Sequence, residues 1–277
     1  MMKIKIVMML AVATWCAGCN PGEQNEGSKV GVALYSFNRF SLEEGLQKAK
    51  QSGVDYVEGF SFQQLGGKFG ARPLSALSEA ELADVRSLVQ ENGLRMVSMY
   101  ADGKTSAEWQ VLFEKGKQLG LKFLVGEPEP HLWDELDRLA GDYGLKLAIH
   151  QHAKEQSRFW HPDSVLAALE GHPNFAVCGD LGHWVRSGLD PVACLKQLEG
   201  RLASIHAKDL DAFGNPDAAD VKVGSGIIDY KAVFAELRRQ GFEGFIFVEC
   251  EHDWDNNLDD VKAAVDLLTD WDRRDDV

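Results

Sequence analysis

One pattern recurs eight times between residues 30 and 270: a short apolar run rich in β-branched residues, a polar loop, an amphipathic stretch of helical period, and a glycine-containing stop. The apolar runs are KVGVALYSF, VDYVEGF, LRMVSMYA, LKFLVGE, LKLAIHQH, FAVCGDLGH, LASIHAKD and GFIFVEC. Helical stretches are expected at residues 41–52, 78–92, 105–119, 131–143, 162–170, 190–199, 228–240 and 256–270. Ser78 with Glu81 makes a capping box, and Asn92-Gly93 supplies a stop. Near-continuous apolar runs belong to strands buried on both faces, hence parallel and covered by helices. Such units over residues 30–277 predict a single (β/α)8 TIM barrel. The competing doubly wound sheet favours a glycine-rich phosphate turn after its first strand, and ALYSFNRF has none.

A barrel directs every strand's carboxyl end to one rim, where catalytic groups from several strands meet. Strand five ends in His150 and His152, and strand six in Asp180 and His183. Strand seven delivers His206, Lys208 and Asp209; strand eight delivers Glu249, Glu251 and His252. Side chains alternate faces with period two, so His150 and His152 point the same way, as do His206 and Lys208. One inward residue per strand (His150, Asp180, His206 and Glu249) places two imidazoles and two carboxylates around one divalent ion. A core histidine or a solvated carboxylate is the ordinary reading of any one of them. Recurrence at equivalent ends of consecutive strands is not explained that way.

GDLGHW, IHAKDL, VGSGIIDY and FIFVECE, in this order over about residues 30–270, resemble the xylose isomerase-like TIM-barrel family, also called sugar phosphate isomerase/epimerase-like. Its members include hydroxypyruvate isomerase, ketose 3-epimerases and endonuclease IV. The resemblance implies a divalent metal held by Glu, Asp, His and Glu from strands five to eight. Asp180, His206 and Glu249 match; His150 stands where the epimerases carry a glutamate. In those enzymes two metal-bound glutamates exchange a proton on opposite faces of the sugar, through a stabilised enediolate. Here Glu249 can be one base, and the second falls to His150, His152 or Glu58. A histidine that binds metal through its neutral ring is not also a free base. The implied activity is therefore a sugar isomerase or epimerase, with a lyase or hydratase acting on 3-keto-sugars or keto-glycosides as the alternative. Two imidazoles favour manganese, cobalt, iron or zinc over magnesium.

Glu249, His152 and Lys208 are the expected catalytic groups, and His183, Trp184, Glu58 and Trp254 the expected substrate contacts. For His183 and Lys208, a supporting role beside Asp180 and Asp209 stands as the alternative. Trp160, Trp184 and Trp254 lie at or after strand ends, where a ring can stack on a sugar or simply fill space. Residues 63–73, QQLGGKFGARP, read either as a mobile lid or as a surface loop. Residues 223–229, VGSGIID, read as a structural turn.

The amino end is of another kind. Lys3 and Lys5 precede an apolar run too short to span a bilayer, and CAGC closes it at Cys19. Residues 1–19 resemble a bacterial lipoprotein signal, although Cys16 stands where leucine is preferred. Polar residues 20–29 read as a flexible tether. The expected location is the periplasm or outer membrane, with membrane contact only through a lipid anchor at Cys19. Phosphorylated sugars are largely cytosolic, so export favours an unphosphorylated substrate. Cys178, Cys194 and Cys250 have no metal-binding spacing and read as small buried hydrophobes. A formal net charge of −14 opposes a nucleic-acid partner and, with it, an endonuclease-like role. A sugar-binding lipoprotein without chemistry remains a distinct class, and the family resemblance leaves room for a homodimer.

Overall fold

A computed structural model describes residues 29–273. The expected signal peptide, Cys19 and nearly all of the tether lie outside the described residues. Eight parallel strands close into a barrel: β1 (Lys29–Ala33), β2 (Tyr56–Phe60), β3 (Arg95–Tyr100), β4 (Phe123–Gly126), β5 (Lys146–His150), β6 (Phe175–Asp180), β7 (Leu202–Ala207) and, last in the chain, β10 (Phe245–Val248). Between β7 and β10, the short antiparallel pair β8 (Asp209–Leu210) and β9 (Asp220–Val221) forms a flap.

Helices cover the outside: α1 (Leu42–Gln51), α2 (Glu79–Glu91), α3 (Ser106–Leu119), α4 (Trp133–Tyr143), α5 (Pro162–Leu169), α6 (Leu181–Arg186), α7 (Pro191–Gln197), α8 (Tyr230–Arg239) and α9 (Leu258–Arg273). Their starts follow the chemistry of the chain. Ser41 with Glu44, Ser78 with Glu81 and Thr105 with Glu108 each form a reciprocal capping box. Eight of these helices lie where the periodicity placed them. The short α6 is the addition: sequence reading left residues 181–186 without a helix.

The barrel is a filled core with a polar upper layer. Ala33, Val97, Phe123, Val125, Ala148, Cys178, Phe245 and Phe247 pack inside it. Above this floor the inward side chains turn polar, with Ser98, Ser204, Glu58, His150, Asp180 and His206 all buried. Two register shifts set that layer. On the β6–β7 ladder Val177 pairs with Leu202 but Cys178 with Ser204, so Asp180 comes level with His206. On β2–β3 a similar shift brings Glu58 level with Ser98. Bulges of this kind re-aim side chains at barrel rims.

The loop at 63–73 is tied down rather than hanging free. Leu65 and Phe69 are buried in the core, and Gln64 bridges to Pro73. The 223–229 segment is a turn wrapped around one carboxylate. Asp209 accepts hydrogen bonds from the backbone N–H groups of Gly224 (2.9 Å), Gly226 (2.9 Å) and Ile228 (3.1 Å). Cys178, Cys194 and Cys250 are free and buried.

Candidate active site

The inward ends of β5, β6, β7 and β10 meet. One donor atom each from His150, Asp180, His206 and Glu249 lies within 4.8 Å of every other, and all four residues are buried. His150 Nε2 faces His206 Nδ1 at 3.2 Å, and each stands near Asp180 Oδ2, at 3.6 and 3.7 Å. Glu249 Oε2 is 3.1 Å from His206 Nδ1.

The tautomer of His206 is fixed from behind. Its Nε2 donates to Glu58 Oε1 at 2.7 Å, which turns the Nδ1 lone pair toward the cluster. Glu58 Oε2 accepts from Ser98 Oγ at 2.6 Å. Glu58 was expected to touch substrate. It lines the cavity, and its two oxygens accept from His206 and Ser98.

The donor set fits a divalent cation. Asp180 Oδ2 is buried without a hydrogen bond, although Lys208 Nζ stands 3.2 Å away. Two ring nitrogens facing each other at 3.2 Å share at most one proton. Opposed ring nitrogens are costly unless a cation or proton sits between them, and Asp180 Oδ2, already faced by the Lys208 ammonium, has a lone pair free for the same cation. Two imidazole nitrogens and two carboxylates match the borderline-soft divalent ions.

Electrostatics agree. Burial alone would lower the His150 pKa, but the carboxylates of Asp180 and Glu127 reverse this and bring it up to about 10. For His206, burial is likewise outweighed by surrounding negative groups, Glu249 and Glu58 among them. The facing pair thus retains one proton above the ordinary imidazole range. His183 goes the other way, pushed well down by burial.

Lys208 is buried beneath the cluster. Its ammonium lies 2.9 Å from Glu249 Oε2 and bonds Glu251. Gly182 lets its stem pass: a Cβ there would lie 2.4 Å from Lys208 Cγ. Lys208 therefore acts as a counter-ion to Asp180, Glu249 and Glu251.

Sequence reading missed Glu127, immediately after β4. It holds His152 by Nδ1 and also accepts from Ser157 Oγ. Burial alone would raise the Glu127 carboxyl, but the His150 and His152 rings beside it hold it well below the usual range. The signal was visible in LVGE, a strand ending in an acid like the later ones. His152 lines the cavity with its side chain 37% exposed, so its second nitrogen is open to a ligand.

The tryptophan expectations are corrected. Trp184 is fully buried, with its ring edge where a Cβ on Gly179 would lie 2.6 Å away. The reason is α6: His183 and Arg186, three residues apart, face the cavity, and Trp184 is rotated into the core. Trp254 stands behind Tyr35, ring centroids 5.8 Å apart, and Trp160 packs on His161 and beneath Lys154. None of the three lines the cavity. Its aromatic surface comes from Tyr35, Phe60, Phe62 and Tyr100, carried at the ends of β1, β2 and β3.

The profile of the xylose isomerase-like TIM barrel family matches residues 131–271. The chain belongs to this family. Within it, the chain is 28% identical over 134 residues to an inosose dehydratase of Clostridium beijerinckii, covering 43% of this chain and 45% of that protein. The chain thus spans about half the length of the curated relatives it matches. An uncharacterised protein of Parabacteroides distasonis, known as a crystal structure, is 32% identical over 88% of this chain and 98% of its own, with a TM-score of 0.71. An IolI protein with a bound zinc atom shares the fold at 20% identity and a TM-score of 0.73, covering 89% of this chain and all of its own.

Proposed function

We propose that this protein is a divalent-metal-dependent enzyme that removes the proton beside a carbonyl of an unphosphorylated sugar and completes the reaction as a β-elimination. The observation that carries this reading is the Glu127–His152 pair standing beside a four-donor cluster whose strand-five position is a histidine. His150, Asp180, His206 and Glu249 would hold the cation. When bound, it supplies Lewis-acid stabilisation of negative charge developing on the carbonyl oxygen.

The remaining chemistry belongs to the chain. Glu127 fixes the Nδ1–H of His152 and leaves Nε2 as a base. The C–H bond breaks toward that nitrogen. The electron pair then forms a double bond as the neighbouring C–O bond breaks; the departing oxygen takes a proton from a water, and the hydroxide left takes back the proton held on His152, which regenerates the base. His150 faces the cluster through Nε2, so it does not furnish a second free base. The inosose dehydratases among the relatives are named for an elimination, which supports the same reading.

The charge around the cavity favours a neutral substrate. Glu58, Asp102, Asp217, Glu249 and Glu251 line it against Arg186. Arg186 is itself held by Asp220 and the Ala218 carbonyl. A sugar phosphate would enter against that field. Export as a lipoprotein anchored at Cys19 belongs to the same proposal; palmitate labelling of the Cys19→Ala variant checks it.

A second reading, isomerisation or epimerisation, is favoured by Glu249, which opens onto the same cavity as His152 and can carry a second proton. NMR of ketoses and 3-keto-glycosides in heavy water with manganese-loaded protein separates the two. Elimination yields an unsaturated ketone and a released group; epimerisation yields an epimer deuterated beside the carbonyl. Inertness toward all of them under every metal would defeat both.

A further inference from the structure

The cavity has a polar and an aromatic part of its lining. His150, His152, His206 and Glu249 line the polar part, with Asp180 and Glu127 behind them. A wall of rings runs round the rim from β3 to β1: Tyr100 lies 5.5 Å from the His150 ring, Phe62 6.2 Å from Tyr100, Phe60 4.9 Å from Phe62, and Tyr35 5.4 Å from Phe60. All four aromatic rings line the same cavity as His150, His206 and Glu249.

Phe62 is the outlier of this wall. It follows β2 and is 46% exposed, whereas Phe60, two residues earlier, is 5% exposed. A phenylalanine whose ring is gripped edge-on by Tyr35 and Tyr100 yet left open to the cavity presents apolar surface to whatever enters. The cavity volume of about 630 Å³ corresponds to roughly twenty waters at ~30 Å³ each. A single pyranose at the donors fills only a fraction of it.

We propose that Tyr35, Phe60, Phe62 and Tyr100 form a subsite for a second ring, so that the substrate is a glycoside whose reacting sugar sits at the donor cluster and whose attached ring lies on Phe62. The inference rests on the proposed reading of the donor cluster as the reacting site. The attached ring is one with an apolar face, aryl or pyranose. Aromatic pairs gain from offset or edge contact beyond simple burial, and the underside of a pyranose offers C–H groups to the same ring.

Direct binding tests this without turnover. Calorimetry with p-nitrophenyl β-D-glucopyranoside, cellobiose and methyl β-D-glucopyranoside compares an aryl ring, a sugar ring and no ring. The two ring-bearing ligands should bind about ten-fold more tightly than the methyl glucoside, the scale of one well-formed aromatic contact. Phe62→Ala should collapse that ratio toward one. Phe213→Ala removes a ring that is slightly more exposed, at 55%, and lies off the cavity, and should keep the ratio. A preference for only one of the two ring ligands identifies the attached ring.

Equal affinities for all three ligands, no binding of any, or a ratio indifferent to Phe62→Ala would overturn the subsite. Metal analysis of the same preparations keeps the two ideas apart. Phe62-dependent binding by a protein that takes up no manganese upholds the subsite and sinks the catalytic reading. Metal uptake with heavy-water exchange but no ring preference does the reverse.

Discussion

Glu58 on β2 accepts the Nε2 hydrogen of His206 on β7 at 2.7 Å, inside the barrel. This bond decides which nitrogen of His206 faces Asp180 and Glu249. Partners of this kind behind a ligating histidine typically matter by roughly ten- to a hundred-fold in metal affinity. Glu58→Ala should weaken manganese binding by about that factor, while Glu58→Gln, which keeps an acceptor oxygen, should recover most of it. Calorimetric metal titration reads both; equal affinity in Glu58→Ala would remove the orienting role.

Metal affinity should rise with pH. The His150–His206 pair holds a proton that a cation must displace, and His150 is raised to about 10. A raised histidine stabilises the folded state below its unfolded value near 6.5 and ceases to do so as pH climbs through its folded value. Metal-stripped protein should therefore lose thermal stability between about pH 6.5 and 10. Over the same span manganese should bind more tightly and release about one proton. Titrations in buffers of different ionisation enthalpy count that proton. Asp180→Asn, which removes the shared carboxylate, should abolish binding.

Removing the carboxylate behind the base should reduce turnover more than binding. Glu127→Ala leaves His152 free to rotate and to adopt the wrong tautomer, and a positioned general base contributes typically ~10²–10⁴-fold. We expect kcat to fall within that range with KM nearly unchanged; a change confined to KM would place Glu127 in substrate binding. His152→Ala should be no more active than Glu127→Ala, and the double variant no worse than His152→Ala.

Asp209 should matter for stability rather than chemistry. Its carboxylate receives the N–H groups of Gly224, Gly226 and Ile228, and Leu210 N adds a fourth bond at 3.0 Å. Each buried donor left unpaired costs about 1–3 kcal/mol. Asp209→Ala should lower Tm substantially, and so should Gly226→Ala, whose Cβ would lie 2.3 Å from Asp209 Oδ1. Thermal denaturation of metal-free protein checks both without reference to activity.

The sequence by itself determined the barrel and the donor set. Eight buried runs alternating with capped amphipathic stretches admit few other arrangements, and period-two alternation put His150, Asp180, His206 and Glu249 on inward positions. Glu127 was equally legible, since LVGE ends as its successors do. Three features were decided only by tertiary structure. Without the irregularity on the β6–β7 ladder, the Val177–Leu202 pairing would set Asp180 beside Ile205 instead of His206. The turn α6 takes after Asp180 sends Trp184 into the core and Arg186 to the cavity, because a helix places neighbours about 100° apart. The aromatic wall gathers side chains from three early strand ends, whose meeting depends on the closed circle of the barrel rather than on any local pattern.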